Sequence, residues 1–164
     1  MSDVHLLIEE QIPRLMRYAR ALTRDNEAAA ELVEDTVREA LAHPHERRPD
    51  QAARLWLLGV LHDLRDNPFR QGAIPADPFD RDPLAALTLS DLDRALGQLP
   101  EQQRAVILLI GLEGLSYGES AAVLRLSVGT LRARLARARA ALREALGVGA
   151  PPARPSAQLE PHAA

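Results

Sequence analysis

Four arginines, Arg132, Arg134, Arg137 and Arg139, crowd into eight positions near the end of this 164-residue chain. A guanidinium is permanently charged and presents a planar fork of donors that fits phosphate oxygens or the O6 and N7 edge of guanine. Leu131, Leu135, Ala138 and Leu142 recur among them at helical steps, so one face is apolar and the arginines project mainly from the others. Ser127 and Thr130 precede the arginines at a helix start, where free amides and hydroxyls suit phosphate, and Ala133 stands between Arg132 and Arg134. An arginine-rich helix taken alone is usually a solvated face, here with Glu144 within pairing reach. The order of pieces in LSYGESAAVLRLSVGTLRARLARARAALREAL (115–146) changes that reading. A short apolar-faced helix, a brief turn and a longer basic helix form the layout of a helix-turn-helix, whose second helix enters the DNA major groove.

Other chemistries lack their residues. With no cysteine, thiolate zinc sites, disulfides and a cysteine nucleophile are excluded. The five histidines show no metal-ligand spacing, His43 and His45 merely flanking Pro44. The acid pairs Glu9-Glu10 and Glu34-Asp35 have no companion histidine, serine or glycine-rich phosphate loop, and read as solvated or partner-facing. No catalytic residue, metal or cofactor is expected, and the chain is expected to have no enzymatic activity of its own. The start of the sequence has no basic-then-apolar signal pattern, and no apolar run approaches a membrane span, so a cytoplasmic protein without membrane insertion is expected.

A net charge of −3 argues against a nucleic-acid partner until it is divided along the chain. Residues 1–70 carry 10 arginines and 13 acids, residues 71–99 carry 2 and 5, residues 100–147 carry 7 and 4, and the rest carry one of each. Only the helix-turn-helix segment is basic. Every basic side chain is arginine, and aromatics make up 3% of residues, so Leu/Ala/Val helices and an all-α fold are expected.

The elements that position the arginines follow from periodicity. Leu7, Ile8, Ile12, Leu15, Ala19 and Leu22 mark a first helix, in which Pro13 implies either a kink or a principal helix beginning there. Ala28, Leu32, Val33, Thr36, Val37, Ala40 and Leu41 mark a second, starting after Asp25-Asn26 and ending near Pro44. Ala53, Trp56, Leu57, Val60, Leu61 and Leu64 mark a third, stopped before Pro68. Three such helices can close a bundle over residues 1–70. Residues 71–87 belong to a Pro- and Asp-rich stretch with a linker's composition. A second small helical domain spans 88–147, with Leu92, Leu96 and Leu99 on one helix, Pro100 opening the next, and Ser116 and Ser127 capping the last two. Residues 148–164 read as a disordered tail. Trp56 sits on an apolar stripe and is assigned to packing rather than to base stacking, and Tyr18 and Tyr117 read as half-buried residues with a polar tip.

From Leu99 to Leu146 the chain resembles region four of the sigma-70 family, specifically the extracytoplasmic-function sigma factors. The resemblance rests on Leu99-Pro100 with Arg104, on Glu113-Gly114-Leu115-Ser116-Tyr117, and on Val128-Gly129-Thr130 leading into Arg134-Leu135 and Arg137-Ala138-Arg139. It implies that Ser127, Thr130, Arg132, Ala133, Arg134 and Arg137 face an upstream promoter element, with Ala133 where many members have serine. The first half resembles region two, through Tyr18-Ala19-Arg20-Ala21-Leu22-Thr23-Arg24-Asp25 and Glu31-Leu32-Val33-Glu34-Asp35-Thr36. That resemblance implies RNA polymerase contacts at Leu32, Glu34, Asp35 and Arg38, with Glu34 replacing a common glutamine.

Trp56-Leu57-Leu58-Gly59-Val60-Leu61-His62-Asp63-Leu64 is similar to the segment leading to the surface that recognises the downstream element, which would place His62, Asn67 and Arg70 there with Arg47 and Arg48 of the preceding loop. Asp63 stands where asparagine is common, and Arg65-Asp66-Asn67-Pro68 replaces a helical run into paired basic residues. The resemblance thus implies a sigma factor that binds core RNA polymerase and promoter DNA, regulated by an anti-sigma factor. Two alternatives stand beside it. A sigma-like adaptor or decoy that binds polymerase or an anti-sigma factor without initiating transcription accommodates the acids at 63 and 66. A dimeric helix-turn-helix regulator predicts two-fold symmetric sites and DNA binding without polymerase.

Overall fold

The computed structural model of the chain describes residues 3–44, 47, 52–66 and 89–148. Among them are seven α-helices and no strand: α1 (Asp3–Thr23), α2 (Asn26–Ala42), α3 (Ala53–Arg65), α4 (Leu89–Gln98), α5 (Glu101–Gly111), α6 (Tyr117–Val123) and α7 (Val128–Ala145). The all-α expectation holds. The expected linker at 71–87, all but Val148 of the expected tail, and Arg48, Asn67 and Arg70 lie outside the described residues.

Helix α1 runs through Pro13 rather than beginning there. Pro13 lies on its exposed side, where solvent can satisfy the carbonyl that loses a partner. Asp25 caps α2 by accepting from the Ala28 amide at 2.7 Å, matching the start signal in the sequence. Helices α1 to α3 pack together around Leu15, Tyr18, Leu22, Leu32, Val33, Trp56, Leu57 and Leu61, all buried.

This cluster does not stop at the third helix. Ala105, Leu108 and Leu109 of α5, Leu115 of the following turn and Val123 of α6 belong to the same buried cluster. Helix α5 packs against α1, and α6 against α3. A second, smaller cluster of Val106, Ala121, Leu131 and Leu135 joins α5, α6 and α7. Helix α5 is therefore apolar on two sides, one meeting the first three helices and one meeting α7. With α6 packed on α3 as well as α1 and α2, α3 buries Leu58 and His62 in addition to its expected stripe. On α4 the buried positions are Ala95 and the following Leu99, whereas Leu92, expected on the apolar stripe, is exposed.

Ser116 opens α6 with a reciprocal cap: the Glu119 amide donates to its Oγ at 3.1 Å, and the Ser116 amide donates to the Glu119 carboxylate at 2.8 Å. The Ser116 amide, and after it the Ser116 hydroxyl, hold the Glu119 carboxyl below its usual pKa. Ser116→Ala removes the side-chain half of this arrangement and is expected to lower stability by about 1 kcal/mol. Urea unfolding checks this, and a midpoint identical to wild type would refute the cap's contribution.

Candidate nucleic-acid interface

Leu124, Arg125 and Leu126 carry the chain from α6 into α7, and the Leu126 amide closes the turn on the Ala121 carbonyl at 2.9 Å. Arg125 takes a left-handed backbone with φ 53°. Ser127 then caps α7 by accepting from the Thr130 amide at 3.1 Å, while its Oγ lies 2.8 Å from the Thr130 hydroxyl. Both hydroxyls sit at the exposed first turn of the helix, beside its free amides.

Leu131, Leu135 and Ala138 of α7 are buried, which sends the polar side chains outward. Arg132, Ala133, Arg137 and Arg139 are exposed, and Arg134 is half-buried. The Arg132 guanidinium lies 5.8 Å from the centre of the Tyr117 ring, within cation–π range, so the half-buried Tyr117 ties α6 to the basic face of α7. Ser127, Thr130, Arg132, Ala133 and Arg137 thus occupy one exposed stretch of helix.

The other candidate residues fall elsewhere. Leu32 is 3% exposed and packs in the main cluster, so its side chain is not available to a partner as expected; it supports the helix that carries the exposed residues. Glu34, Asp35 and Arg38 do come together on α2, Arg38 donating to Glu34 at 2.6 Å and to Asp35. Arg47 is half-buried.

His62 is a correction: it is 4% exposed, and its Nε2 lies 2.8 Å from the Tyr18 hydroxyl. A residue placed there cannot contact DNA without leaving the core. Burial lowers its pKa to about 4, against the opposing pull of Glu101 and Asp63. Tyr18, expected to be half-buried, is fully enclosed, and burial, assisted by Glu113 and Glu101, raises its pKa well above the usual value.

Sequence reading missed a set of charged pairs that join the two halves. Arg17 donates to Glu113 at 3.1 Å, with Arg14 at 3.8 Å, and the Glu113 side chain is completely buried. Arg24 forks onto Asp93 at 2.8 and 2.9 Å, and Arg65 forks onto Glu101 at 2.6 Å. Arg125 forks onto Asp63. Asp66, beside it, has a raised pKa, chiefly from desolvation and then from Glu101 and Asp63, partly offset by Arg134 and Arg65. Partners 36 to 99 residues apart leave no local sequence signal. Only the unexpected acids at 63 and 66 hinted at them.

Comparison with known proteins agrees with this architecture. Residues 89–142 match the family model for sigma-70, region 4, and residues 8–62 match that for the Sigma2 domain of PhyR. The chain is 29% identical over 141 residues to the ECF RNA polymerase sigma factor EcfG of Rhodopseudomonas palustris, covering 80% of this chain and 78% of that protein. It is 33% identical over 141 residues to the ECF RNA polymerase sigma factor SigM of Mycobacterium tuberculosis, covering 82% of this chain and 72% of the relative. Its fold is similar to that of the sigma factor RpoE solved in complex with the anti-sigma factor NepR from Bartonella quintana, with a TM-score of 0.71 and 28% identity over 92% of this chain and all of that one. The chain belongs to the extracytoplasmic-function sigma factors of the sigma-70 family.

Proposed function

We propose that this sigma factor binds core RNA polymerase through the face of α2 that carries exposed Glu34 and Arg38 with half-buried Asp35, and directs promoter-specific initiation by reading an upstream element with α7. The observation that carries the reading is the capped, apolar-backed α7, which presents Arg132 and Arg137 outward while Leu131 and Leu135 anchor it. Arginine forks onto guanine give base discrimination, and the first-turn amides with Thr130 fix register on phosphates. Catalysis belongs to the polymerase. An anti-sigma factor, the class of protein bound to the similar RpoE, is the expected inhibitory partner.

The decisive experiment is in vitro transcription with core RNA polymerase and a genomic promoter library, comparing wild type with an Arg132→Ala, Arg134→Ala double variant. Promoter-specific transcripts are expected from wild type and should fall tenfold or more in the variant, since one good arginine–base contact is worth roughly 1–3 kcal/mol. Polymerase binding should persist. Equal transcript levels would remove α7 from promoter reading.

A second reading has its own support. The first half matches the family model for the Sigma2 domain of PhyR, an anti-anti-sigma factor, and Asp63 and Asp66 make acidic the end of the helix that would lead to a downstream-reading surface. Under that reading the chain sequesters an anti-sigma factor and yields no transcripts with core polymerase. Binding to an anti-sigma protein without any transcript would establish it.

A further inference from the structure

An acid and an arginine pair where the end of α3 approaches the helix-turn-helix. Asp63 holds Arg125, two residues before the cap of α7, in a bidentate pair. Arg134 lies close enough to Asp66 to favour its carboxylate form. Carboxylate oxygens there offer a guanidinium what phosphate oxygens offer it, a planar pair of anionic acceptors.

Arg125 is also in an unusual place for its residue type. A φ of 53° is the conformation that glycine adopts without strain and that a long side chain adopts at a cost. The turn chemistry therefore does not call for arginine, whereas its pairing with Asp63 does. The rest of the contact has the same character: Arg17, Arg24 and Arg65 of the first half each pair with an acid of the second, over the apolar seam of Leu108, Leu109, Leu115 and Val123.

From this arrangement we infer that the last turn of α3 is an internal substitute for DNA phosphate: Asp63 engages Arg125 in a closed form of the chain, with Asp66 adding negative charge one turn on, and duplex DNA opens it by competing for that arginine. The inference rests on the reading of α7 and its preceding turn as a DNA-binding surface. Asp63 and Arg125 are both well exposed, with side-chain exposures of 40% and 75%, so the pair biases the equilibrium modestly and is open to competition by salt and by polyanions. A device meant to be displaced by DNA needs that modest strength. It also gives the acids at 63 and 66 a purpose compatible with promoter binding, because they lie against the basic turn only in the closed form.

The absence of cysteine lets two labels be placed cleanly. Ala30→Cys on α2 and Ala140→Cys on α7, both at exposed positions, report the distance between the halves of the full chain by double electron–electron resonance or fluorescence transfer. Three backgrounds are compared: otherwise wild type, Asp63→Asn with Asp66→Asn, and the exchange Asp63→Arg with Arg125→Asp, aspartate being tolerant of a left-handed backbone.

The asparagine variant is expected to shift the closed–open ratio toward open by roughly two- to fivefold, the worth of one exposed pair. It should bind a nonspecific 20-base-pair probe duplex more tightly by a similar factor at low salt. The exchange should restore the closed distance, and the probe duplex should lengthen the distance in wild type. An asparagine variant with an unchanged distance distribution overturns the inference. So does tighter duplex binding without opening, which would mean simple loss of repelling charge. Because the distance is read without polymerase, its outcome is independent of whether the chain initiates transcription.

Discussion

Leu131→Ala is expected to destabilise the helix-turn-helix by about 2.5–5 kcal/mol and to abolish promoter-specific transcription. Leu131 is completely buried in the smaller cluster, where its neighbours are Val106, Ala121 and Leu135, with Ile107, Ile110, Tyr117 and Leu124 at the edge. Truncation removes the transfer free energy of three carbons and leaves a cavity in a cluster with few other large side chains to fill it. Helix α7 then loses its hold on α5 and α6, and the arginines lose their fixed spacing.

The main cluster is held by different residues, and Trp56, the only tryptophan, reports on it from α3. Far-UV circular dichroism should show an early loss of helix in urea while Trp56 fluorescence changes later. Leu131→Met, which nearly conserves volume, should cost less than about 1.5 kcal/mol and retain transcription. Coincident early transitions by both probes would show that the two clusters unfold as one unit, and an alanine variant with wild-type stability would refute the anchoring role.

Acidification should destabilise the protein through His62 by an amount large for a single side chain. Its pKa is lowered from 6.5 to about 4 in the folded chain, because the imidazole is buried against the Tyr18 hydroxyl. Between those values the unfolded chain binds a proton that the folded chain refuses. Stability contributed by the neutral form is therefore fully present above pH 6.5, falls as pH drops through that value, and levels off below about pH 4. A lowering to about 4 corresponds to about 3 kcal/mol.

His62→Gln keeps a polar partner for Tyr18 and cannot titrate. Urea unfolding of both proteins from pH 8 to pH 4.5 isolates the effect, since the acids that also titrate are common to both. The stability of wild type relative to the variant should decline steadily below pH 6.5. Parallel profiles would show that water reaches the imidazole and that the core at α1 and α3 opens locally.

Much of this protein was determined by short-range sequence. The seven helices follow from apolar spacing and from caps that act within three residues, Asp25 on Ala28, Ser116 on Glu119 and Ser127 on Thr130. The order of short helix, turn and basic helix at 115–146 specified the helix-turn-helix, and Leu131, Leu135 and Ala138 turned inward as their period requires. The family resemblance was carried by those same segments and matches the relatives found for the chain.

Tertiary structure decided how the halves meet. Periodicity tells which face of a helix is apolar but not how many neighbours will cover it. The two helical units were legible, but not that α5 joins α1–α3 and α7 through opposite sides, nor that His62, off the apolar stripe of α3, is enclosed. The pairs Arg17–Glu113, Arg65–Glu101 and Asp63–Arg125 depend on the spatial approach of residues far apart in the chain, and electrostatic attraction is set by distance in space. In the sequence Asp63 and Asp66 were acids out of place; only the fold supplied the arginines that face them.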